Sequence, residues 1–172
     1  MGRADGLGDG MMRILVLSDT HIPRMAKDMP KAVYEEAKKC DLILHAGDLT
    51  ENKLLERLKN IKKTIAVCGN MDSPDLSASL KKKEVVELKG HKIGLTHGWG
   101  APDGMIERVY DEFKGDGVEC IVFGHSHHAL NESFRDVLLL NPGSPTDKVF
   151  AKFNSYGIIE ISKKIKAEIV KL

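Results

Sequence analysis

Five short apolar runs in this chain each end in residues able to hold a metal ion. The segments are Asp19-Thr20-His21, Gly47-Asp48, Gly69-Asn70, His97-Gly98 and Gly124-His125-Ser126-His127. They offer two carboxylates (Asp19, Asp48), one amide (Asn70) and four imidazoles (His21, His97, His125, His127). Oxygen and imidazole donors delivered repeatedly by strand ends are what a dinuclear hydrolytic centre requires. A mixed N/O set without thiolate suits Mn²⁺, Fe²⁺, Ni²⁺, Co²⁺ or Zn²⁺ rather than a soft-metal site. Taken singly, each motif has an ordinary meaning, since Asp after a strand and Gly-Asn both form turns. Turn chemistry does not explain their joint occurrence at five strand ends.

Residues two apart in an extended segment project the same way. Asp19 with His21, and His125 with His127, are therefore each expected to approach one metal region. The glycines at 47, 69, 98 and 124 sit beside ligand positions, where a tight turn or close backbone approach is needed. In open α/β sheets, ligands bind outside the carboxyl ends of strands.

The elements that must position these groups follow from periodicity. Strands are predicted at 13–17, 41–45 and 63–68, with helices at 30–39 and 52–60 between them. That alternation argues for a parallel core sheet with helices packed outside it. Residues 72–83 are polar and read as a surface loop. Runs at 85–88 and 92–96 flank a hairpin turn at Lys89-Gly90-His91, which places His91 in solvent. A helix over 102–114 carries an apolar stripe of Ile106, Val109, Tyr110 and Phe113. Strands at 120–123, 130–134, 137–140, 156–161 and 166–170 complete a pattern that two packed sheets with outer helices satisfy.

Composition narrows the functional classes. At 172 residues the chain fits one domain, expected over 12–172, after a glycine-rich, flexible extension at 1–11. With 26 basic and 25 acidic residues, the net charge of +1 provides no broad footprint for nucleic acid or anionic membrane. Lys81-Lys82-Lys83 is too short to change that and reads as a solvated face. Cys40, Cys68 and Cys120 are scattered, which fits reduced thiols in a cytoplasmic protein better than a disulfide framework. No apolar stretch approaches the roughly 20 residues needed to span a bilayer, and the start lacks the apolar core of a signal peptide.

Asp-x-His, Gly-Asp, Gly-Asn, His-Gly and Gly-His-x-His in this order resemble the calcineurin-like metallophosphoesterases. The short chain, with Asn141-Pro142-Gly143-Ser144, is similar to their small prokaryotic phosphodiesterase subfamily. The resemblance implies a four-layer α-β-β-α sandwich of two mixed sheets flanked by helices. It also implies two divalent ions, most often Mn²⁺, with Asp19, His21 and His127 on one and Asn70, His97 and His125 on the other. Asp48 would bridge them. A bridging hydroxide would be the nucleophile, with Asp48, Asn70 and His97 as the catalytic set around it. Two dications, two carboxylates and that hydroxide leave a net +1 to attract a phosphate ester. Asn70 and Arg24, three residues beyond His21, are the candidate substrate contacts.

The expected partner is a small phosphodiester, with homo-oligomerisation left open and neither membrane nor nucleic acid indicated. Because the same fold serves as a binding subunit in the eukaryotic retromer complex, a non-catalytic metal-binding scaffold is the alternative. The pattern departs from the superfamily at one position. Many members carry His directly after Gly-Asn, where this chain has Met71, followed by Asp72. Met cannot donate a proton to a leaving group, so a preference for activated phosphodiesters is expected. His45 is expected to support the site without ligating, and His128 to be structural.

Overall fold

In the computed structural model, residues 10–172 are described, and most of the segment read as an extension, 1–9, lies outside them. The order is β1 Met12–Leu17, α1 Lys31–Lys39, β2 Leu42–His45, α2 Asn52–Ile61, β3 Thr64–Ala66, α3 Pro74–Ser79 and β4 Lys83–Leu88. It continues with β5 His91–Thr96, α4 Met105–Glu112, β6 Cys120–Val122, β7 Leu130–Phe134, β8 Val137–Asn141, β9 Ser155–Ile161 and β10 Ile165–Lys171. The strands form two five-stranded sheets, ordered β10-β9-β1-β2-β3 and β4-β5-β6-β8-β7. Strands β1, β2 and β3 run parallel, as do β5, β6 and β8, while β9 pairs antiparallel with both β1 and β10, β4 with β5 and β7 with β8.

Side-chain alternation along β1 shows why two sheets stack. Ile14 and Val16 face the second sheet, meeting Ile93, Leu95, Cys120, Val122 and Leu140 in the central core. Leu15 and Leu17 face the other way, onto Val33, Ala37, Leu54, Leu55 and Leu58 of α1 and α2. On the far side of the second sheet, Ile121, Phe123 and Leu139 pack against Met105, Val109 and Phe113. Three apolar layers thus separate four structural layers, as the resemblance implied. Each fully buried Leu or Ile contributes about 1.5–3 kcal/mol, so both faces of the first sheet are strongly specified.

Segment 72–83 differs from expectation. Ser73 caps α3, its side chain accepting the Leu76 N–H at 3.4 Å, and Pro74 opens the helix. Leu76, fully buried, anchors it. Leu76 and Leu80, a single i, i+4 pair of large apolar side chains in a polar stretch, give too little periodicity to reveal a helix of 6 residues. Lys83 is not simply solvated: it starts β4 and reaches Asp116 and the Glu112 carbonyl. His91 is half-buried and pairs with Glu119 at 2.9 Å.

Among the described residues, no helix is long and apolar enough to cross a membrane.

Candidate metal centre

The parallel strands of both sheets deliver the seven predicted side chains to one cleft. Asp19 follows β1, Asp48 follows β2, Asn70 follows β3, His97 follows β5, and His125 and His127 follow β6. The loops are cross-braced: the Asp19 and His21 N–H groups donate to the Gly47 and Asp48 carbonyls, each at 3.0 Å. Gly124 N–H donates to the His97 carbonyl, also at 3.0 Å.

The backbone is not extended as expected. Asp19 (φ 52), His21 (φ 43), Asp48 (φ 59), His125 (φ 68) and His127 (φ 60) all adopt the left-handed conformation. Each such non-glycine residue costs roughly 1–2 kcal/mol. Asp and His tolerate it better than β-branched residues, and conformational cost of this kind clusters at functional sites. Asp19 and His21 still meet, with Oδ1 3.8 Å from Nε2. His125 and His127 diverge, each to a different end of the cluster.

At one end, the His127 Nε2 lies 3.2 Å from His21 Nε2 and 3.3 Å from Asp19 Oδ1. At the other, Asn70 Oδ1 lies 3.0 Å from His97 Nε2 and 3.1 Å from His125 Nδ1. Between them Asp48 Oδ2 stands 3.4 Å from His21 Nε2 and 3.3 Å from His97 Nε2. Asp19 Oδ1 also comes within 3.9 Å of His97 Nε2, so both carboxylates face both ends, Asp48 the more closely. Metal bonds of about 2.0–2.2 Å put neighbouring ligand atoms roughly 3–3.5 Å apart, matching these separations.

Five of the seven side chains, Asp19, Asp48, His97, His125 and His127, have one atom held by the protein and another left facing the cluster. Asp19 Oδ2 accepts from Ser18 Oγ at 2.7 Å and His125 N–H at 3.0 Å, while its buried Oδ1 has no hydrogen-bond partner among the described residues. Asp48 Oδ1 accepts the Met71 N–H at 2.7 Å, leaving Oδ2 inward. His97 Nδ1 donates to the Ala46 carbonyl at 2.7 Å, and His125 Nε2 to the Gly100 carbonyl at 3.1 Å. His127 Nδ1 meets Asp147 Oδ2 at 2.5 Å. Fixing the outer nitrogen selects the tautomer that presents a lone pair inward. An orphaned buried oxygen among converging lone pairs is poorly satisfied by protein alone and fits a divalent cation.

The electrostatics agree. Burial pushes the Asp19 carboxyl up, but His127 and the His97 charge outweigh it and hold it below the usual range. Asp48 is likewise lowered, burial being overcome by His97. Burial pulls His97 down, yet Asp48 and Asp19 raise it to about 9. His127 also rises to about 9, burial being outweighed by Asp19 and Asp147. Protons thus occupy sites where cations would sit, and metal binding would displace them.

Sequence reasoning missed Asp147, which follows β8, a sixth strand end beside the five. Its segment clamps the centre: Ser144 Oγ donates to the Asp19 carbonyl and Thr146 Oγ1 to the Thr20 carbonyl, each at 2.7 Å. Asn141 Nδ2 donates to the Gly124 carbonyl at 3.0 Å. The Asn-Pro-Gly-Ser turn was the available signal, and the buried Asp three residues beyond it completes the support.

His45 supports the site as expected. Its Nδ1 accepts the Gly47 N–H at 3.2 Å, its Nε2 meets Thr20 Oγ1 at 3.1 Å, and burial lowers it to about 3. His128 is exposed and, with Arg24, lines the cleft wall. Gly69 and Gly124 permit the closest approaches: a Cβ at the first would collide with the Asp48 carboxylate, and at the second with Ser18 and Asp19.

Two stacked mixed sheets with oxygen and imidazole donors converging from their strand ends define a metal-binding α/β protein of the phosphoesterase class. Residues 12–164 match the calcineurin-like phosphoesterase superfamily domain, and the chain belongs to that family. It is 42% identical over 140 residues to a probable metallophosphoesterase of Methanocaldococcus jannaschii, covering 80% of this chain and 70% of that protein. A phosphodiesterase of the same organism is 25% identical over 173 residues, covering 92% and 99%. Chaetomium thermophilum Vps29 superposes with a TM-score of 0.77 at 22% identity, covering 92% of this chain and 93% of that one, a likeness of fold.

Proposed function

We propose that this chain is a phosphodiesterase dependent on two divalent ions, Mn²⁺ foremost, acting on a small phosphodiester in the cytoplasm. One observation carries the reading: the outer atoms of Asp19, Asp48, His97, His125 and His127 are each anchored while the inner ones converge. Asp19, His21 and His127 would hold one ion, Asn70, His97 and His125 the other, with Asp48 between. Bound ions supply positive charge for the phosphate and an activated water for in-line attack on phosphorus.

The chain's own groups do the rest. Asn70 turns Oδ1 to His97 and His125, so its exposed Nδ2, without a hydrogen bond to the described residues, is the donor available to a phosphate oxygen. Arg24 lines the same cleft and makes no ion pair among the described residues. The three cysteines are free thiols, in keeping with a reducing compartment. The scaffold alternative calls for a large apolar docking patch. Of the large exposed apolar side chains, Met71 and Phe150 line the cleft, while Val85, Trp99 and Val149 lie outside its lining.

The test is metal-free protein supplied with single divalent ions and assayed on an aryl phosphodiester and the matching monoester. Turnover of the diester should need added metal and be nearly abolished in Asp48→Ala and His97→Ala. Activity that survives chelation would sink the mechanism, and no turnover with any ion would favour the scaffold.

A further inference from the structure

Five of the candidate ligands, His21, Asp48, Asn70, His125 and His127, line a cleft of about 470 Å³, within the range of small-molecule sites. Its remaining wall is largely apolar, formed by Met25, Met71, Pro102 and Phe150, with Arg24, Ser126 and His128 as the polar exceptions. A phosphate group held at the ligand end would leave that wall uncovered.

Phe150 is the distinctive member. It is 63% exposed, yet its backbone is fixed, because the Asp147 carboxylate accepts the N–H groups of Val149, Phe150 and Ala151 at 2.7–3.2 Å. The same carboxylate holds His127 Nδ1, and the Phe150 ring meets the His127 ring edge-on, centroids 5.9 Å apart at 80°. One buried acid therefore sets both a candidate metal ligand and an aromatic surface. A tethered backbone lowers the ordering cost of binding, while an uncovered ring face offers stacking. Met71, 39% exposed on the same cleft, adds a polarizable thioether that packs well against rings.

We propose that the substrate carries a flat aromatic ester arm, stacked on Phe150 and Met71 while its phosphate lies at the candidate ligands. The inference rests on the phosphodiesterase reading and adds the chemical class of one ester group. A diester suits this division, because a singly charged phosphate can present an uncharged arm to an apolar wall. A methyl ester leaves the wall wet, and a saturated ring fills it without stacking.

The test separates binding from turnover. Diphenylphosphinate, dicyclohexylphosphinate and dimethylphosphinate keep the anionic PO2 group but carry both organic groups on P–C bonds, so they have no ester bond to hydrolyse. Calorimetric titration into the Mn²⁺-supplied protein should give diphenylphosphinate about tenfold tighter than the dicyclohexyl compound, with dimethylphosphinate weakest. Phe150→Ala should remove the preference for phenyl over cyclohexyl, and Phe150→Leu should retain apolar bulk but not that preference. Circular dichroism checks that both variants are folded; the substituted side chain is largely exposed. Equal binding of all three, cyclohexyl at least as tight as phenyl, no binding of any, or an unchanged order in Phe150→Ala would overturn the proposal. Loss of all phosphodiester turnover with the binding order intact would overturn the hydrolytic reading alone.

Discussion

Asp72 Oδ2 accepts the backbone N–H of Asp48 at 3.1 Å, and thereby fixes the carboxylate that stands between the two ends of the centre. The same oxygen accepts the Gly69 N–H at 2.7 Å, and Oδ1 accepts the Thr50 N–H at 2.7 Å. Asp48 and Thr50 both have positive φ, at 59° and 79°. A single acid thus ties the end of β2 to the end of β3 and stabilises a turn that the backbone alone disfavours.

Replacing it should uncouple these loops. Asp72→Ala leaves three N–H donors without their acceptor, a loss of about 2–3 kcal/mol. The displaced Asp48 should also weaken Mn²⁺ binding roughly 10- to 100-fold. Thermal unfolding of the metal-free protein and calorimetric metal titration read the two effects separately. Asp72→Asn keeps one acceptor oxygen and should fall between. Unchanged metal affinity in Asp72→Ala would show that Asp48 needs no such support.

Asp147 acts on the other side of the cluster. Its carboxyl lies below the usual range, burial being outweighed by His127 and the backbone N–H groups it accepts. It therefore stays ionised and holds His127 Nδ1 as the donor, with Nε2 directed inward. Asp147→Asn can still accept one bond but loses the charge that favours this arrangement. Metal affinity should drop about 10-fold or more, while Asn131→Ala, on β7 away from the centre, should leave it unchanged. Equal affinities in wild type and Asp147→Asn would remove Asp147 from any role in metal binding.

The sequence carried the architecture because strand and helix periods differ. The alternation of Ile14 and Val16 with Leu15 and Leu17 tells of a sheet buried on both faces. The stripe through Val109 and Phe113 correctly located α4. The donors were legible because each ends an apolar run. Their backbone conformation was not: spacing of two residues was read as extended, whereas the left-handed turns at His125 and His127 send them to opposite ends. Asp72, beside Met71, was legible as a group that could orient a neighbouring ligand or serve as a turn former, and it holds the Asp48 N–H; Asp147 was obscure. Its partners are the N–H groups of the next few residues and the His127 ring in another loop, and such pairings leave no periodic trace.

His45 makes stability depend on pH in a defined window. Folded, it is depressed to about 3 by burial; unfolded, it titrates near 6.5. The unfolded chain therefore takes up the proton first as pH falls, so this contribution is steady above about 6.5 and is lost between about 6.5 and 3. The local slope approaches about 1.4 kcal/mol per pH unit for one proton. Asp19 and Asp48 change stability in the same direction, but below the ordinary carboxylate range. Urea unfolding of metal-free wild type and His45→Asn between pH 4 and 6.5 isolates the histidine. The variant should be less stable at neutral pH and show the shallower decline on acidification; parallel curves would place the proton uptake elsewhere.

Met71 bears on the step that water activation does not assist, departure of the alcohol. Its backbone N–H donates to Asp48 Oδ1, and its side chain reaches the cleft, so the position is close to the centre but carries no titratable group. A leaving group of low pKa departs without a proton, whereas a high-pKa alkoxide must be protonated or strongly stabilised. The rate should therefore fall steeply from p-nitrophenyl through phenyl to alkyl leaving groups on a common methyl phosphodiester. In Met71→His the backbone bond to Asp48 persists and an imidazole enters the cleft. A positioned acid is worth about 10²–10⁴-fold in favourable cases. A gain of roughly 10-fold or more is expected for phenyl and alkyl leaving groups, with little change for p-nitrophenyl. The measurement is the slope of log kcat/KM against leaving-group pKa, which should flatten in the variant. The same slope in both proteins would mean that proton donation from this position does not govern departure, and that Met71 matters to the cleft only through its apolar surface.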